Sequence, residues 1–174
     1  FNFSAAYTVR SDTYDPNDLG FLYNNNESVK ELSLTYNTFE PKGAFNKTWN
    51  TLYLRQKNLY RPNVYTQFVM NLNGGAFTKG FHALGYSIDY TPLENRDYFG
   101  PRTSDFSAYY AIPSSVQPGI WISSDYRRTL ALDGDVYYNM FPNINRSELY
   151  YTIAPRYRVN NHLLLVYSYA YSHL

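Results

Sequence analysis

The chain has 174 residues, with 15 Lys plus Arg against 14 Asp plus Glu, so its formal net charge is only +1. This length predicts one domain, and the near-zero charge excludes the strongly basic surface that a nucleic-acid-binding domain carries. The absence of Cys excludes disulfides and thiolate metal sites. No apolar run of about eighteen residues is present, which excludes a transmembrane helix.

Tyrosine dominates the composition, with 21 Tyr beside 11 Phe and 2 Trp. The aromatic residues alternate with polar ones, as in segments 1–9 and 163–171. A period of two predicts strands with one apolar and one polar face, and aromatic-rich strands of this kind are typical of transmembrane β-barrels. We therefore predict an all-β fold, an antiparallel up-and-down transmembrane β-barrel, forming a single domain over residues 1–174.

The pattern predicts nine strands in chain order. They cover residues 1–10, 29–40, 44–57, 63–73, 77–90, 119–132, 135–141, 147–159 and 162–174. Tight hairpin turns are predicted where Gly and Asn accept positive φ, at Pro41-Lys42-Gly43, Asn73-Gly74-Gly75, Asp133-Gly134 and Asn160-Asn161. If every strand crosses once, these turns lie at one end and the long loops 11–28 and 91–118 at the other, as in outer-membrane barrels.

Nine is an odd number of strands, whereas bacterial single-chain barrels close with an even number. Both ends of the chain also have the pattern of the middle of a strand. We therefore expect an incomplete portion of a larger barrel.

Alternation also predicts which side chains face lipid. The predicted lipid-facing sets are Leu32, Leu34 and Tyr36; Val64, Phe68, Met70 and Leu72; Leu84, Tyr86, Ile88 and Tyr90; and Leu149, Tyr151, Ile153 and Tyr157. An Arg at bilayer mid-depth costs about 2–4 kcal/mol, so the lumen is predicted to hold a network of opposite charges made by Asp89, Asp125, Arg127, Arg156 and Arg158. A structural network is the favoured interpretation, and a solute-selective pore is the alternative.

The two long loops are candidate binding regions. In loop 91–118, charged and aromatic residues are candidates for gripping a glycan or a protein partner: Tyr98, Phe99, Arg102, Asp105 and Phe106. The alternative is a loop that packs on itself over the barrel mouth. Loop 11–28 carries oxygen ligands that could bind Ca²⁺, but their spacing does not fit an EF-hand, so a solvated loop is expected: Asp12, Asp15, Asn17 and Asp18.

No enzyme signature is present. The three histidines, His82, His162 and His173, lack ligand spacing, and neither a nucleophile elbow nor a phosphate loop occurs. We therefore predict no catalytic residues, no metal and no cofactor.

Four short motifs resemble a known family. They are Asp15-Pro16-Asn17-Asp18-Leu19-Gly20-Phe21, Tyr98-Phe99-Gly100-Pro101-Arg102, Ser123-Ser124-Asp125-Tyr126-Arg127-Arg128 and Pro155-Arg156-Tyr157-Arg158. In this order they resemble the barrel region of a Bacteroidota outer-membrane family of unassigned function, whose members carry an N-terminal carbohydrate-binding-module-family-nine-like domain. The resemblance implies a Gram-negative cell outer membrane and supplies no catalytic residue.

The predicted function is that of a scaffold or binding platform in the outer membrane, including as a subunit of an envelope complex. Its expected partners are the lipid bilayer, other outer-membrane or envelope proteins, and a glycan, but not nucleic acid. One alternative is a solute-transporting pore. Another is a soluble glycan-binding β-sandwich in which Trp49, Trp121 or Tyr98 stacks on sugar rings.

Overall fold

The computed structural model describes residues 1–15, 24–103 and 105–173. Within these ranges the chain forms strands, loops and one 3₁₀ turn, Pro142–Ile144, but no α-helix. In the same ranges, no helix is long and apolar enough to cross a bilayer. The strands are β1 Asn2–Arg10, β2 Glu27–Thr38, β3 Phe45–Leu59, β4 Tyr65–Thr78, β5 Ala83–Thr91, β6 Asn95–Asp97, β7 Tyr110–Ile112, β8 Ser115–Ser123, β9 Leu130–Phe141, β10 Arg146–Arg158, β11 Leu164–Val166 and β12 Tyr169–His173.

Ten strands form one large antiparallel sheet in the order β1-β2-β3-β4-β5-β8-β9-β10, with β11 and β12 both beside β10. Because β11 and β12 follow one another along β10, they make one crossing, and the ten strands make nine crossings. The all-β, antiparallel, up-and-down prediction is confirmed. Within the described residues, β1 and the β11–β12 crossing are the two edges of an open sheet. The remaining strands, β6 and β7, form a separate hairpin.

The connections differ in length between the two ends of the sheet. Segments 39–44, 79–82, 124–129 and 159–163 connect strands at one end, called the turn end here. The long connections 11–26 and 92–114 lie at the other end, called the loop end, together with 60–64 and 142–145. The predicted separation of short turns from long loops is therefore confirmed. Residues 16–23, which include Asn17, Asp18 and most of the motif Asp15–Phe21, lie outside the described residues.

Two predicted turns are wrong. Gly74 and Gly75 lie inside β4, where they pair with Tyr86 and Gly85 of β5. The turn that follows β4 is 79–82, where Phe81 takes a φ of 63°. A glycine inside a strand marks a place where another group approaches the backbone closely, and here that group is an indole ring.

Asp133 and Gly134 likewise lie inside β9, paired with Ala154 and Ile153 of β10. The preceding turn is 124–129, so the predicted strands 119–132 and 135–141 give way to β8 and β9. The predicted loop 91–118 is also shorter than expected, because β8 begins at Ser115 and the β6–β7 hairpin lies within the loop.

Strand register assigns the side chains to two faces, since paired residues of antiparallel strands point the same way. The face called the apolar face here carries Leu32, Leu34, Tyr36, Leu52, Leu54, Phe68, Met70, Leu72, Leu84, Tyr86, Ile88, Tyr90, Ile120, Ile122, Val136, Tyr138, Leu149, Tyr151, Ile153 and Tyr157. The members of each predicted lipid-facing set share this one face, except Val64, which precedes β4.

The opposite face, called the polar face here, carries the charge. Among the described residues of the nine crossings, every Asp, Glu, Lys and Arg except Lys30 lies on the polar face. Trp49 and Tyr53 share the polar face with Lys47 and Arg55. The described part of the chain thus separates charged from apolar side chains almost completely.

Nothing in the described residues covers the apolar face. Of the apolar residues that the structure describes, only five are buried, namely Val29, Leu59, Ala76, Tyr98 and Ala131. Ile153 is 47% exposed, Tyr169 46% and Tyr167 67%. The described chain therefore has no dry centre of the kind that holds a β-sandwich together.

Candidate functional site

Two tryptophans lie side by side on the polar face near the turn end. Trp49 on β3 and Trp121 on β8 have ring centroids 6.2 Å apart and ring planes inclined by only 28°. Two strands separate them, and those strands contribute Gly75 and Gly85, which pair with each other. We call Trp49 and Trp121 the indole platform.

The glycines let the indoles lie flat on the sheet. A Cβ added to Gly75 would overlap the ring of Trp49, and a Cβ added to Gly85 would overlap the ring of Trp121. Because any larger residue would lift the ring, these two positions require glycine for space rather than for backbone conformation. Alternation along the sequence does not predict this arrangement, because Gly75 also fits a tight turn.

Further aromatic rings extend the platform. The Phe77 ring lies 5.4 Å from that of Trp49, and Tyr137 lies over Gly119 as the indoles lie over their glycines. The rings of Tyr137 and Tyr150 are 6.3 Å apart. Aromatic side chains of β3, β4, β8, β9 and β10 therefore lie on the polar face.

Polar groups surround the platform. Asn37 pairs with Trp49 in the register, and Asp135 pairs with Trp121. Within the described residues, the Asp135 carboxylate accepts no hydrogen bond and forms no ion pair. The platform thus has an amide on one side and an unpaired carboxylate on the other.

A chain of hydrogen bonds borders the platform toward the loop end. Asn73 donates to the Oδ1 of Asn71 over 2.5 Å, and Asn71 donates to the Oδ1 of Asp89 over 2.7 Å. Ser87 donates to the Oδ2 of Asp89 over 3.2 Å. Asp89, predicted as a lumen charge, is therefore held by the Asn71 amide and the Ser87 hydroxyl rather than by an arginine.

Asp125 and Arg127, predicted to follow Trp121 on one strand, lie in turn 124–129 instead. Arg127 donates from Nε and Nη2 to the two carboxylate oxygens of Asp125, each over 2.8 Å. The carboxylate is buried, and the hydrogen bonds from Arg127 lower its pKa well below the ordinary range. This pair orders the turn.

Arg156 and Arg158 lie on the polar face at the turn end. Arg156 donates from Nε to Asp133 over 2.6 Å, and Asp133 also accepts hydrogen bonds from Ser123 and Tyr126. Arg158 donates to the backbone carbonyl of Tyr126 over 3.1 Å. The five predicted lumen charges therefore fall into three groups: Asp89, the pair Asp125–Arg127, and Arg156 with Arg158. Asp133, the partner of Arg156, lies in a predicted turn and was not among the predicted charges.

The aromatic candidates of the long loop contact one another. Tyr98 is buried, with its ring 5.0 Å from Tyr109. Phe99 and Phe106 meet edge to face, with ring centroids 5.6 Å apart. The aromatic part of the loop thus packs on itself.

The charged candidates of the same loop stay exposed. Asp105 accepts a hydrogen bond from the backbone N–H of Ser107 over 3.1 Å, and hydrogen bonding to Ser107 lowers the pKa of the Asp105 carboxyl. Arg102 is exposed, with a φ of 57°. The Asp105 carboxylate and the Arg102 guanidinium are therefore accessible at the loop end.

The β6–β7 hairpin is fixed to the sheet by Asn95, a residue that no sequence motif marks. Its buried Oδ1 accepts hydrogen bonds from the Tyr65 hydroxyl over 2.9 Å and the Phe68 N–H over 3.0 Å. A pocket of about 180 Å³ lies beside it, lined in part by Glu27 and Lys57, whose charged groups are 3.5 Å apart.

Comparison with known proteins places the chain only at the level of a family. The family described as a domain of unknown function (DUF5916) matches residues 1–174. No curated protein matches, and no solved structure matches.

Proposed function

Since the chain belongs to the family described as a domain of unknown function (DUF5916), we propose from its geometry that it forms part of a transmembrane β-barrel of a Bacteroidota outer membrane. In that barrel it serves as a scaffold or binding platform, within an envelope complex. The apolar face contacts lipid, and the polar face and the loop end contact partners.

The observation that carries this proposal is the separation of the two faces. An apolar band runs across the sheet from β2 to β12, and its side chains stay exposed, among them Leu72, Ile120 and Ile153. Monomeric soluble proteins rarely expose a contiguous apolar patch larger than a few hundred Å². Lipid hydrocarbon can cover such a band. The strands inside the sheet pair on both sides, so their backbone N–H and C=O groups are not left unpaired in the lipid.

The distribution of charge supports the same environment. An Arg or Lys facing lipid at mid-depth costs about 2–4 kcal/mol, and the cost falls toward the interfaces. Lys30, the exception on the apolar face, lies near the loop-end start of β2. Its flexible side chain can reach the headgroup region there.

Tyrosines at both ends of the apolar face support the assignment further. Tyr36 and Tyr157 lie toward the turn end, and Tyr90 and Tyr138 lie toward the loop end. Amphipathic rings at both interfaces are typical of membrane-spanning strands. Short turns on one side and long loops on the other are typical of outer-membrane barrels.

The direction of the two edge strands determines whether an antiparallel barrel needs an odd or an even number of further strands. β1 and the β11–β12 crossing both run from the turn end to the loop end. If they paired directly they would be parallel, so an antiparallel barrel containing this sheet includes an odd number of further strands. This agrees with the even strand number of bacterial barrels.

Membrane fractionation of the full-length protein tests the proposal. We expect the protein to stay in the envelope fraction after washing with alkaline carbonate and urea, and to be released by detergent. A periplasmic binding protein from the same cells is the control for washing. Recovery of the full-length protein in the soluble fraction without detergent would overturn the proposal.

A further inference from the structure

We propose that the indole platform is a saccharide-binding site that takes a neutral oligosaccharide by stacking sugar rings on Trp49 and Trp121. The inference rests on the binding-platform role proposed above and names the class of ligand that this platform takes. It concerns the polar face rather than the long loop.

The first step is the flat presentation of the two rings. Gly75 and Gly85 remove the side chains beneath the indoles, so each ring lies against backbone on one side and presents its other side away from the sheet. Because the rings lie over two neighbouring glycines and their planes are inclined by only 28°, they present one shared aromatic surface. Both side chains are only partly buried, so this surface is open to a ligand.

The second step is the chemistry of that surface. The face of an aromatic ring is electron-rich, whereas one face of a pyranose ring presents C–H groups that carry a small positive charge. A flat sugar therefore packs on a flat indole, while its hydroxyl groups point outward around the ring. Two adjoining indoles suit two adjoining sugar units of a chain.

The third step is the polar surround that those hydroxyls meet. Asp135 lies beside Trp121, and its carboxylate is an unpaired acceptor within the described residues. Asn73 and Ser87, which pair with each other, border the platform toward the loop end. An apolar floor with a few polar groups at its rim is the usual form of a small-ligand site.

Other ligands that stack on tryptophan fit less well. A quaternary ammonium group is bound by rings that surround it, whereas these two rings lie nearly side by side. A nucleotide would bring its phosphate close to Asp135 and Asp89, and no arginine bonds to either carboxylate within the described residues. The surroundings therefore favour an uncharged ligand with hydroxyl donors.

The chain offers a direct readout, because Trp49 and Trp121 are its only two tryptophans. The experiment uses the full-length protein. Any tryptophan in its other segments is changed to Phe, so that the emission comes from Trp49 and Trp121. The protein is held in a polyoxyethylene detergent, since sugar-based detergents would compete for the site. Cellohexaose, maltohexaose and chitohexaose are titrated separately, with adenosine monophosphate and tetramethylammonium as the competing ligand classes.

We expect at least one of the three oligosaccharides to shift the indole emission and to bind in calorimetry. Trp49→Ala and Trp121→Ala should each weaken that binding about tenfold or more, as expected when one stacking ring is removed. Tyr53→Ala is the matched control, because Tyr53 is an aromatic residue of the same face of β3, and its hydroxyl donates to Glu31 away from the platform. Trp49→Phe and Trp121→Phe keep an aromatic ring and should weaken binding less. They therefore distinguish loss of stacking from loss of folding in the Ala variants.

Three outcomes would overturn the inference. They are no binding of any oligosaccharide, binding that both Trp→Ala variants leave unchanged, and binding of adenosine monophosphate or tetramethylammonium alone. These outcomes are separate from failure of the membrane proposal, since a protein recovered without detergent can be titrated in plain buffer. A soluble protein that binds saccharide would overturn the membrane proposal and keep this one.

Discussion

Arg127 places its guanidinium carbon 3.3 Å from the centre of the Phe81 ring. The contact joins turn 124–129 to turn 79–82, two turns that lie next to each other because Ala83 of β5 pairs with Ser123 of β8. Asp125 holds the guanidinium from its other edge through two hydrogen bonds. A three-residue unit of ring, guanidinium and carboxylate therefore orders the turn end of the sheet.

Removal of the Phe81 ring should destabilise the turn end. A cation–π contact contributes about 0.5–2 kcal/mol, so Phe81→Ala should lower the midpoint of thermal or guanidinium unfolding by a corresponding amount. Phe81→Tyr keeps a ring face for the guanidinium and is the control. Equal midpoints for the Ala and Tyr variants would show that the contact contributes nothing.

The buried carboxylate of Asp125 should make stability depend on acid pH. Its pKa is lowered by the hydrogen bonds from Arg127, so ionised Asp125 stabilises the folded state above its unfolded pKa of about 3.9. That contribution is lost as the pH falls below about 4 toward the lowered folded pKa. Between pH 5 and pH 3, we expect the unfolding midpoint of the native protein to fall more steeply than that of Asp125→Asn. The difference is the stabilisation that protonation of this one carboxylate removes. Parallel curves for the two proteins would contradict this.

The glycine beneath Trp121 should not tolerate a methyl group. In Gly85→Ala the new Cβ would overlap the indole, and the shift needed to relieve the overlap costs about 1–3 kcal/mol. Gly134→Ala is the matched control, since Gly134 is also inside a strand but its nearest atom would be at an ordinary 3.4 Å. Denaturant unfolding followed by tryptophan emission measures both variants, and a similar loss in both would be inconsistent with the flat indole.

A pair of neighbouring substitutions on β10 separates a lipid-facing sheet from a water-facing one. Ile153 lies on the apolar face and Thr152 on the polar face. In a bilayer, Ile153→Arg should lose about 2–4 kcal/mol of folding free energy, whereas Thr152→Arg should lose far less. Folding into lipid vesicles, titrated with urea, measures both. In water, an arginine at the half-exposed Ile153 would be accepted within about 0.5 kcal/mol, so similar values for both variants would count against the membrane proposal.

Local alternation predicted most of the architecture. The segments Leu32–Tyr36 and Leu149–Tyr157 carry their facing pattern within a few residues, because successive side chains of a strand point to opposite faces. The number of crossings and the separation of short turns from long loops follow from the same pattern. The positions of Gly75 and Gly134 could not be predicted in this way. Glycine occurs in tight turns, and it also occurs inside strands, so its presence alone does not separate the two.

The candidate site was less accessible to sequence reasoning than the fold. Arg156 and Arg158 were correctly placed on the polar face, but the partner of Arg156 is Asp133, which is 23 positions away along the chain. Trp49 and Trp121 were noted as separate rings. Their adjacency depends on the register of four strands, which only the assembled sheet supplies.

The sequence by itself determined that this protein is an antiparallel sheet with one apolar and one charged face, because a period of two is a property of each strand alone. The tertiary structure decided where the strands turn, which charges pair and which rings lie side by side. Those features depend on contacts between residues far apart in the chain, so their physical cause is the register between strands rather than the order of residues within any one of them.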